Sequence, residues 1–280
     1  MSATGAPTQT VGNQRTLRHQ ARILAVIAGT EFKLKYAGSA LGYIWSVLKP
    51  LALFTIIYMV FSHIFRLGSV SQYYPLSLLM GIVLFNFFSD ATSMAMTSLV
   101  IRESLVRKMN FPRAIIPASA TLTAGLTFAV NCIPITIFVL AKGITPQPDW
   151  ILIIPLLAEL YLFILGIALI LSALFVRLRD ISQVWELVLQ LFLYGSPVIY
   201  PIGFLPPFLR KLAFINPFTQ VLQDIRALVL YPDLAPNKIT AAVAFSSPAG
   251  RLIPVSIAIG LFVIGVTVFR REEPWLAERI

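Results

Sequence analysis

The chain has 280 residues, of which 58% are hydrophobic and 12% charged, with 22 Lys and Arg against 12 Asp and Glu. That balance excludes an ordinary soluble domain, where about a quarter of the residues are charged. The apolar runs are continuous and about 20 residues long, roughly twice the length of a barrel strand, so they predict membrane-spanning helices. The formal charge of +10 would suggest nucleic acid in a soluble protein; here much of the excess flanks apolar runs, where cytoplasmic anchoring accounts for it.

Residues 1–13 are polar and rich in Gly, Thr and Pro, which predicts a disordered tail without the apolar core of a cleaved leader. Residues 14–42 mix apolar side chains with Arg15, Arg18, Arg22, Lys33 and Lys35, the pattern of an amphipathic helix lying on an anionic surface, with Gly29 as the point where it would divide. A six-helix transmembrane domain is expected over 43–270, with spans at about 43–65, 75–100, 114–140, 150–176, 184–199 and 252–269. The fifth is short and runs into Ser196-Pro197-Val198-Ile199-Tyr200-Pro201, where two prolines interrupt the helix. Residues 200–251 are too apolar for a plain loop and too rich in proline for a span, so they are expected to re-enter the outer leaflet as short broken helices. Residues 271–280 form a tail.

Orientation follows from the Lys and Arg beside the spans. The N-terminal stretch, the second connection (Arg102, Arg107, Lys108, Arg113), the fourth (Arg177, Arg179) and the tail (Arg270, Arg271, Arg279) fall on one side, which predicts that both termini are cytoplasmic.

The usual chemical signatures are missing. No phosphate-binding Gly-rich loop with its lysine, no dinucleotide fingerprint, no zinc-protease helix and no nucleophile elbow occurs. Cys132 has no second cysteine to pair with, and His19 and His63 have no metal-ligand partner at useful spacing, so no metal site is expected. Charges inside the spans need an account, because each costs a few kcal/mol at the bilayer centre. Lys49 either snorkels to the cytoplasmic interface or meets Asp90 of the second span. Asn131 and Glu159 fall at similar depth in the third and fourth spans, which predicts a shared hydrogen-bonded cluster. Tyr43, Trp45, Tyr194 and Tyr200 lie near span ends, suited to an interfacial belt or to a pathway whose walls stack on sugar rings.

Several segments then share an order. Lys35-Tyr36-Ala37-Gly38-Ser39-Ala40-Leu41-Gly42-Tyr43-Ile44-Trp45 is followed by Leu48-Lys49-Pro50-Leu51. Asn110-Phe111-Pro112-Arg113-Ala114-Ile115-Ile116-Pro117 comes next. Arg177-Leu178-Arg179-Asp180-Ile181, the Ser196–Pro201 turn and Asn216-Pro217 complete the series. Together these resemble the ABC-2 type export permeases, in the branch that moves polysaccharides linked to a polyprenyl lipid. Lys49 departs from that pattern, which has a neutral polar residue before the Pro-Leu pair.

The resemblance implies a homodimeric permease working with two copies of a separate ABC ATPase subunit. It implies no cofactor in this chain, with ATP and Mg²⁺ on the partner. Residues 101–110 resemble a coupling helix, in which Arg102, Glu103, Leu105, Val106 and Arg107 would meet the ATPase. The 14–42 stretch resembles an interfacial gate helix. Arg18, Arg22, Lys33, Lys35 and Lys49 would then line the entry of a lipid diphosphate, although binding of ordinary anionic phospholipid fits the same residues. Tyr43, Trp45, Tyr194 and Tyr200 would line the pathway or its gates, and the first and fifth spans would form the dimer interface. The implied function is export of a polyprenyl-diphosphate-linked polysaccharide across the bacterial inner membrane, by a transport subunit that is not itself an enzyme. A permease for small drugs or lipids on the same fold, a membrane glycosyltransferase and an ion-coupled transporter are the alternatives.

Overall fold

Long runs without strand-like alternation fold as helices throughout the computed structural model, which describes residues 9–36, 42, 44–64, 73–104, 112–230 and 240–279. Among the described residues there is no strand. Helix α1 (Gln9–Tyr36) leads to α2 (Ile44–Met59), α3 (Tyr74–Ile101), α4 (Ile115–Ala141), α5 (Ile153–Arg177) and α6 (Ile181–Gly195). Two short helices follow, α7 (Pro207–Ile215) and α8 (Pro217–Leu230), before the long α9 (Leu252–Arg279).

Five stretches are long and apolar enough to cross a membrane: Ile44–Ser62, Tyr74–Ile101, Ile115–Ala141, Pro148–Arg177 and Ala249–Trp275. The chain is therefore a multi-pass membrane protein. The expected fifth span corresponds to α6, which has 15 residues and so measures about 22 Å against an apolar core of about 30 Å. It stops at Gly195 because Pro197 pushes Ser196 into extended backbone. At the N-terminus, α1 starts at Gln9, inside the expected tail, and passes Gly29 without a break. At the other end, α9 continues through Pro274 to Arg279, so the expected tail is helical.

Helix α3 is the axis of the bundle, packed against α2, α4, α5, α6 and α8. Its Phe88 is fully buried and stacks on Phe192 of α6 at 4.7 Å and on Phe163 of α5 at 5.8 Å. Phe218 of α8 closes the cluster 5.2 Å from Phe192. Trp185 of α6 donates from Nε1 to Thr92 Oγ1 of α3 at 3.1 Å, which docks α6 while its other face stays open. Buried hydroxyls satisfy themselves on their own helices: Thr92, Ser98, Ser119 and Ser172 each donate to a carbonyl three or four residues back.

Helices α5 and α9 pack backbone to backbone. A Cβ on Gly265 would lie 2.3 Å from the Gly166 carbonyl oxygen, and one on Gly166 would lie 2.7 Å from the Leu261 backbone. Two glycines let these backbones touch, the packing that helices use where lipid supplies no hydrophobic drive between them.

Helix α8 is buried along its whole length except at Leu228, although it carries Gln220, Gln223, Asp224 and Arg226. Its start is fixed by Asn216, whose Oδ1 accepts from the Phe218 amide at 3.0 Å and whose Nδ2 donates to Ser196 Oγ at 3.3 Å. Arg226 then clamps three segments. It donates to the Ser77 carbonyl of α3 at 2.7 Å and to the Pro197 and Val198 carbonyls of the turn after α6 at 2.7 and 2.9 Å. Gly81 leaves the room, since a Cβ there would sit 2.6 Å from Arg226 Nη2.

Candidate functional site

Four helices enclose a polar cavity of about 710 Å³. Helix α1 contributes Lys35; α2 contributes Trp45, Ser46 and Lys49; α3 contributes Asn86 and Asp90; α4 contributes Thr127 and Asn131. Lys35 Nζ lies 3.8 Å from Asp90 Oδ2. Of the two readings of Lys49, a snorkelling side chain or a partner for Asp90, neither includes Lys35, which the C-terminal turn of α1 brings to Asp90 while Lys49 lines the same cavity. Trp45 also lines it and is half-exposed. The cavity thus combines two ammonium groups, one carboxylate, two amides and an indole.

The expected Asn131–Glu159 cluster does not form. Asn131 turns to the cavity, and its Oδ1 is buried with no hydrogen-bond partner among the described residues. Glu159 turns the other way, to the end of the bundle where α8 meets the start of α9, and the charges that act on it are Asp224 and Arg251. Equal depth did not suffice because the two residues lie on different faces of their helices. Asp224 is held by Gln220 Nε2 at 2.8 Å and by Arg251 Nε at 3.4 Å. Burial raises its carboxyl above the ordinary range, against the pull of Gln220 and Arg251.

The opposite end of the bundle carries a second constellation. Arg102, directly after α3, makes an ion pair with Glu31 of α1 and donates to Ser119 Oγ of α4 at 3.1 Å. Thr123 of α4 donates to Glu31 Oε2 at 3.1 Å. Burial pulls the Arg102 guanidinium below its ordinary pKa. Nearby, the Arg113 amide donates to Glu273 Oε1 at 3.0 Å, and Arg177 pairs with Glu272 at 3.0 Å. These contacts place the ends of α3, α5 and α9 and the start of α4 at one side of the bundle, together with α1.

The other expected site residues are scattered. Glu103, Arg22 and Lys33 are exposed, and Leu105, Val106, Arg107 and Tyr43 lie outside the described residues, as does the Arg18 side chain. Tyr194 is exposed on α6, and its carbonyl accepts from Tyr200 Oη at 3.2 Å. Tyr200 lines a separate groove of about 530 Å³ between α6 and α7. Residue-by-residue reading of the sequence had no role for Glu31, Arg226, Asn86 or Thr127. Glu31 alone carried a signal, as the single acid in the basic 14–42 stretch.

A polytopic helical bundle with a cavity lined by lysines, amides and a carboxylate beside a basic first helix fits a membrane transport subunit. The chain belongs to the ABC-2 type transporter family, whose model matches residues 23–230. Among its relatives, an O-antigen export system permease protein RfbA of Klebsiella pneumoniae is 29% identical over 257 residues, 91% of this chain and 94% of the relative. A second Klebsiella pneumoniae protein of that name is 28% identical over 74% of this chain and 80% of its own length. A Myxococcus xanthus protein of the same name is 24% identical over 92% of this chain and 96% of its own.

Proposed function

We propose that this chain is the transmembrane subunit of an ABC exporter that moves a polyprenyl-diphosphate-linked polysaccharide from the cytoplasmic to the outer side of the bacterial inner membrane. The observation that carries the reading is the cavity bounded by Lys35, Lys49 and Trp45 beside α1, in a chain whose relatives over nine-tenths of its length bear the name of O-antigen export permeases. The lysines suit a diphosphate, each cation near an anionic group contributing about 1 kcal/mol. Arg22 and Lys33, exposed on the same helix, extend that charge along the membrane surface.

In this reading the side bearing Arg102, Arg113 and Arg177 faces the cytoplasm, as the excess of Lys and Arg there supports. Helix α6 continues through the Ser196–Pro201 turn as a sixth, thin crossing, and α7 and α8 re-enter from the outer side. Two copies of the chain assemble through α2 and α6. ATP and Mg²⁺ act on two copies of a separate ATPase, which meets the segment after Arg102. Arg102 passes movement of that segment to α1 through Glu31, so the cytoplasmic gate and the motor move together, a two-state element biased from a distant site.

Deletion of the gene in its own cell tests this. Surface polysaccharide should disappear while the lipid-linked polymer accumulates inside, and the intact gene should restore export. Unchanged surface glycan after deletion would defeat the proposal.

A further inference from the structure

The cavity carries more polar chemistry than a diphosphate requires, and part of it, the acceptor oxygens, is of the wrong kind for one. A diphosphate accepts hydrogen bonds and needs donors, which Lys35 and Lys49 supply. Beyond them the wall also presents acceptors. Asp90 contributes carboxylate oxygens, and Asn131, only 6% exposed, contributes a buried Oδ1 that receives no hydrogen bond from any described residue. A buried acceptor without a partner is destabilising, so it marks a place where a donor belongs.

These groups are arranged in register. Asn86 and Asp90 are four residues apart on α3, and Thr127 and Asn131 four apart on α4, so each pair lies on one helix face. At 1.5 Å per residue, Asp90 lies about 17 Å from Ile101 and Thr127 about 18 Å from Ile115; Asn86 and Asn131 lie about 23 and 24 Å from those ends. Arg102 and Ser119 join the two helices near those ends. The four side chains therefore form two polar rungs across the cavity, one above the other. Trp45 of α2 adds a flat apolar face to the same wall.

From this the geometry points to a sugar compartment beyond the diphosphate entry. Asp90 and Asn131 accept from the hydroxyls of a pyranose ring, Asn86 and Thr127 complete its polar edge, and Trp45 stacks on its C–H face. The ligand class is the first sugar attached to a lipid diphosphate. The assignment rests on the export reading, and it adds that the permease reads the sugar as well as the charge. A site built around hydroxyl donors rejects a ligand that lacks them, because its acceptors are then left unpaired.

The test uses the full chain with its ATPase subunit in lipid nanodiscs. Affinity is measured for two probes, a polyprenyl diphosphate and the same lipid carrying one N-acetylhexosamine. The intact protein should bind the sugar-bearing lipid about tenfold more tightly. Asn131→Leu should abolish that preference and leave the affinity for the bare lipid unchanged. This variant removes an unpaired amide from a buried position, so its thermal midpoint should be no lower than that of the parent. Thr127→Val should lose about threefold of the preference. Lys49→Gln, which leaves the Lys35–Asp90 contact in place, should weaken both lipids equally. Equal binding of the two lipids by the intact protein, or a full preference kept by a folded Asn131→Leu, overturns the sugar compartment. Export in cells reads the other proposal separately: a chain that exports glycan yet shows no sugar preference rejects the compartment alone, and a chain whose deletion leaves surface glycan intact rejects the export reading.

Discussion

Helices α2 and α3 are both apolar enough to span a bilayer, yet they stand at opposite extremes of the bundle. In its most apolar stretch α3 has 72% of its residues buried and a mean hydropathy of 1.5, whereas the span Ile44–Ser62 that contains α2 has 11% buried and a mean hydropathy of 1.9. The helix wrapped in protein is the more polar one. Lipid accepts only apolar side chains, while a protein surround can answer Ser, Thr, Asn and Asp with hydrogen bonds. For this pair of helices, the lower hydropathy belongs to the one surrounded by protein. In this chain, α3 with α5, α8 and α9 is scaffold, and α2 with the outer face of α6 is open surface bordering the cavity.

If that division is right, the largest losses come from the scaffold. Gly265→Leu forces side-chain atoms into the Gly166 backbone, which cannot yield as a flexible side chain would, so α5 and α9 must part. We expect a loss of about 4 kcal/mol or more, seen as failure to recover monodisperse protein, and a normal thermal midpoint would break the comparison. Arg226→Met comes next. It leaves the Ser77, Pro197 and Val198 carbonyls without their donor and should cost about 3 kcal/mol, read as a lowered midpoint in the same assay. Arg226→Lys, with one compact ammonium in place of the fork, should recover only part of it.

How much of this was legible beforehand divides along the same line. Helical class, the long spans and the basic first helix follow from periodicity and charge alone, because each is a property of one segment. Arg226 looked like one more cation on the outer side, since only the fold brings the Ser77 carbonyl and the Pro197–Val198 turn to it. Asn131 and Glu159 were matched by depth, but depth fixes only position along an axis, and the helical rotation that separates them depends on what α4 and α5 pack against. Asp90 meets Lys35 at 3.8 Å, a partner that the sequence does not single out, because the contact depends on how α1 lies across α4, which pattern does not encode. The resemblance supplied the family, which the family match over residues 23–230 upholds.

A third test joins the scaffold to the moving parts. Glu31→Gln and Arg102→Gln each break a largely buried ion pair that α4 supports through Ser119 and Thr123. With some solvent reaching both groups, each should cost about 1–2 kcal/mol in the thermal assay and lower export further than that loss alone accounts for. Exchanging the charges, Glu31→Arg with Arg102→Glu, should restore more export than either of its single changes allows. Equal export by the single and exchanged forms would show that the pair only holds the fold, and the scaffold would then extend to α1.

The smallest effect on stability and the sharpest on assembly belongs to α6. Leu191 is 73% exposed, so Leu191→Ala removes almost no packing within one chain and should change the thermal midpoint by less than about 0.5 kcal/mol equivalent. If Leu191 faced lipid in the working protein, truncation would be silent, because a lipid tail is as apolar as leucine and fills the space. If it faces a second copy, the same truncation opens a gap between two helices held together by van der Waals packing alone, and dimerisation in nanodiscs should fall several-fold. Val184 and Leu187, exposed on the same helix, provide the control: a dimer contact along α6 requires their truncations to act in the same direction, whereas a contact confined to the end near Tyr194 leaves them silent. Stepwise photobleaching of labelled chains in nanodiscs counts the copies directly, and an unchanged fraction of dimers in all three variants would assign the open face of α6 to lipid.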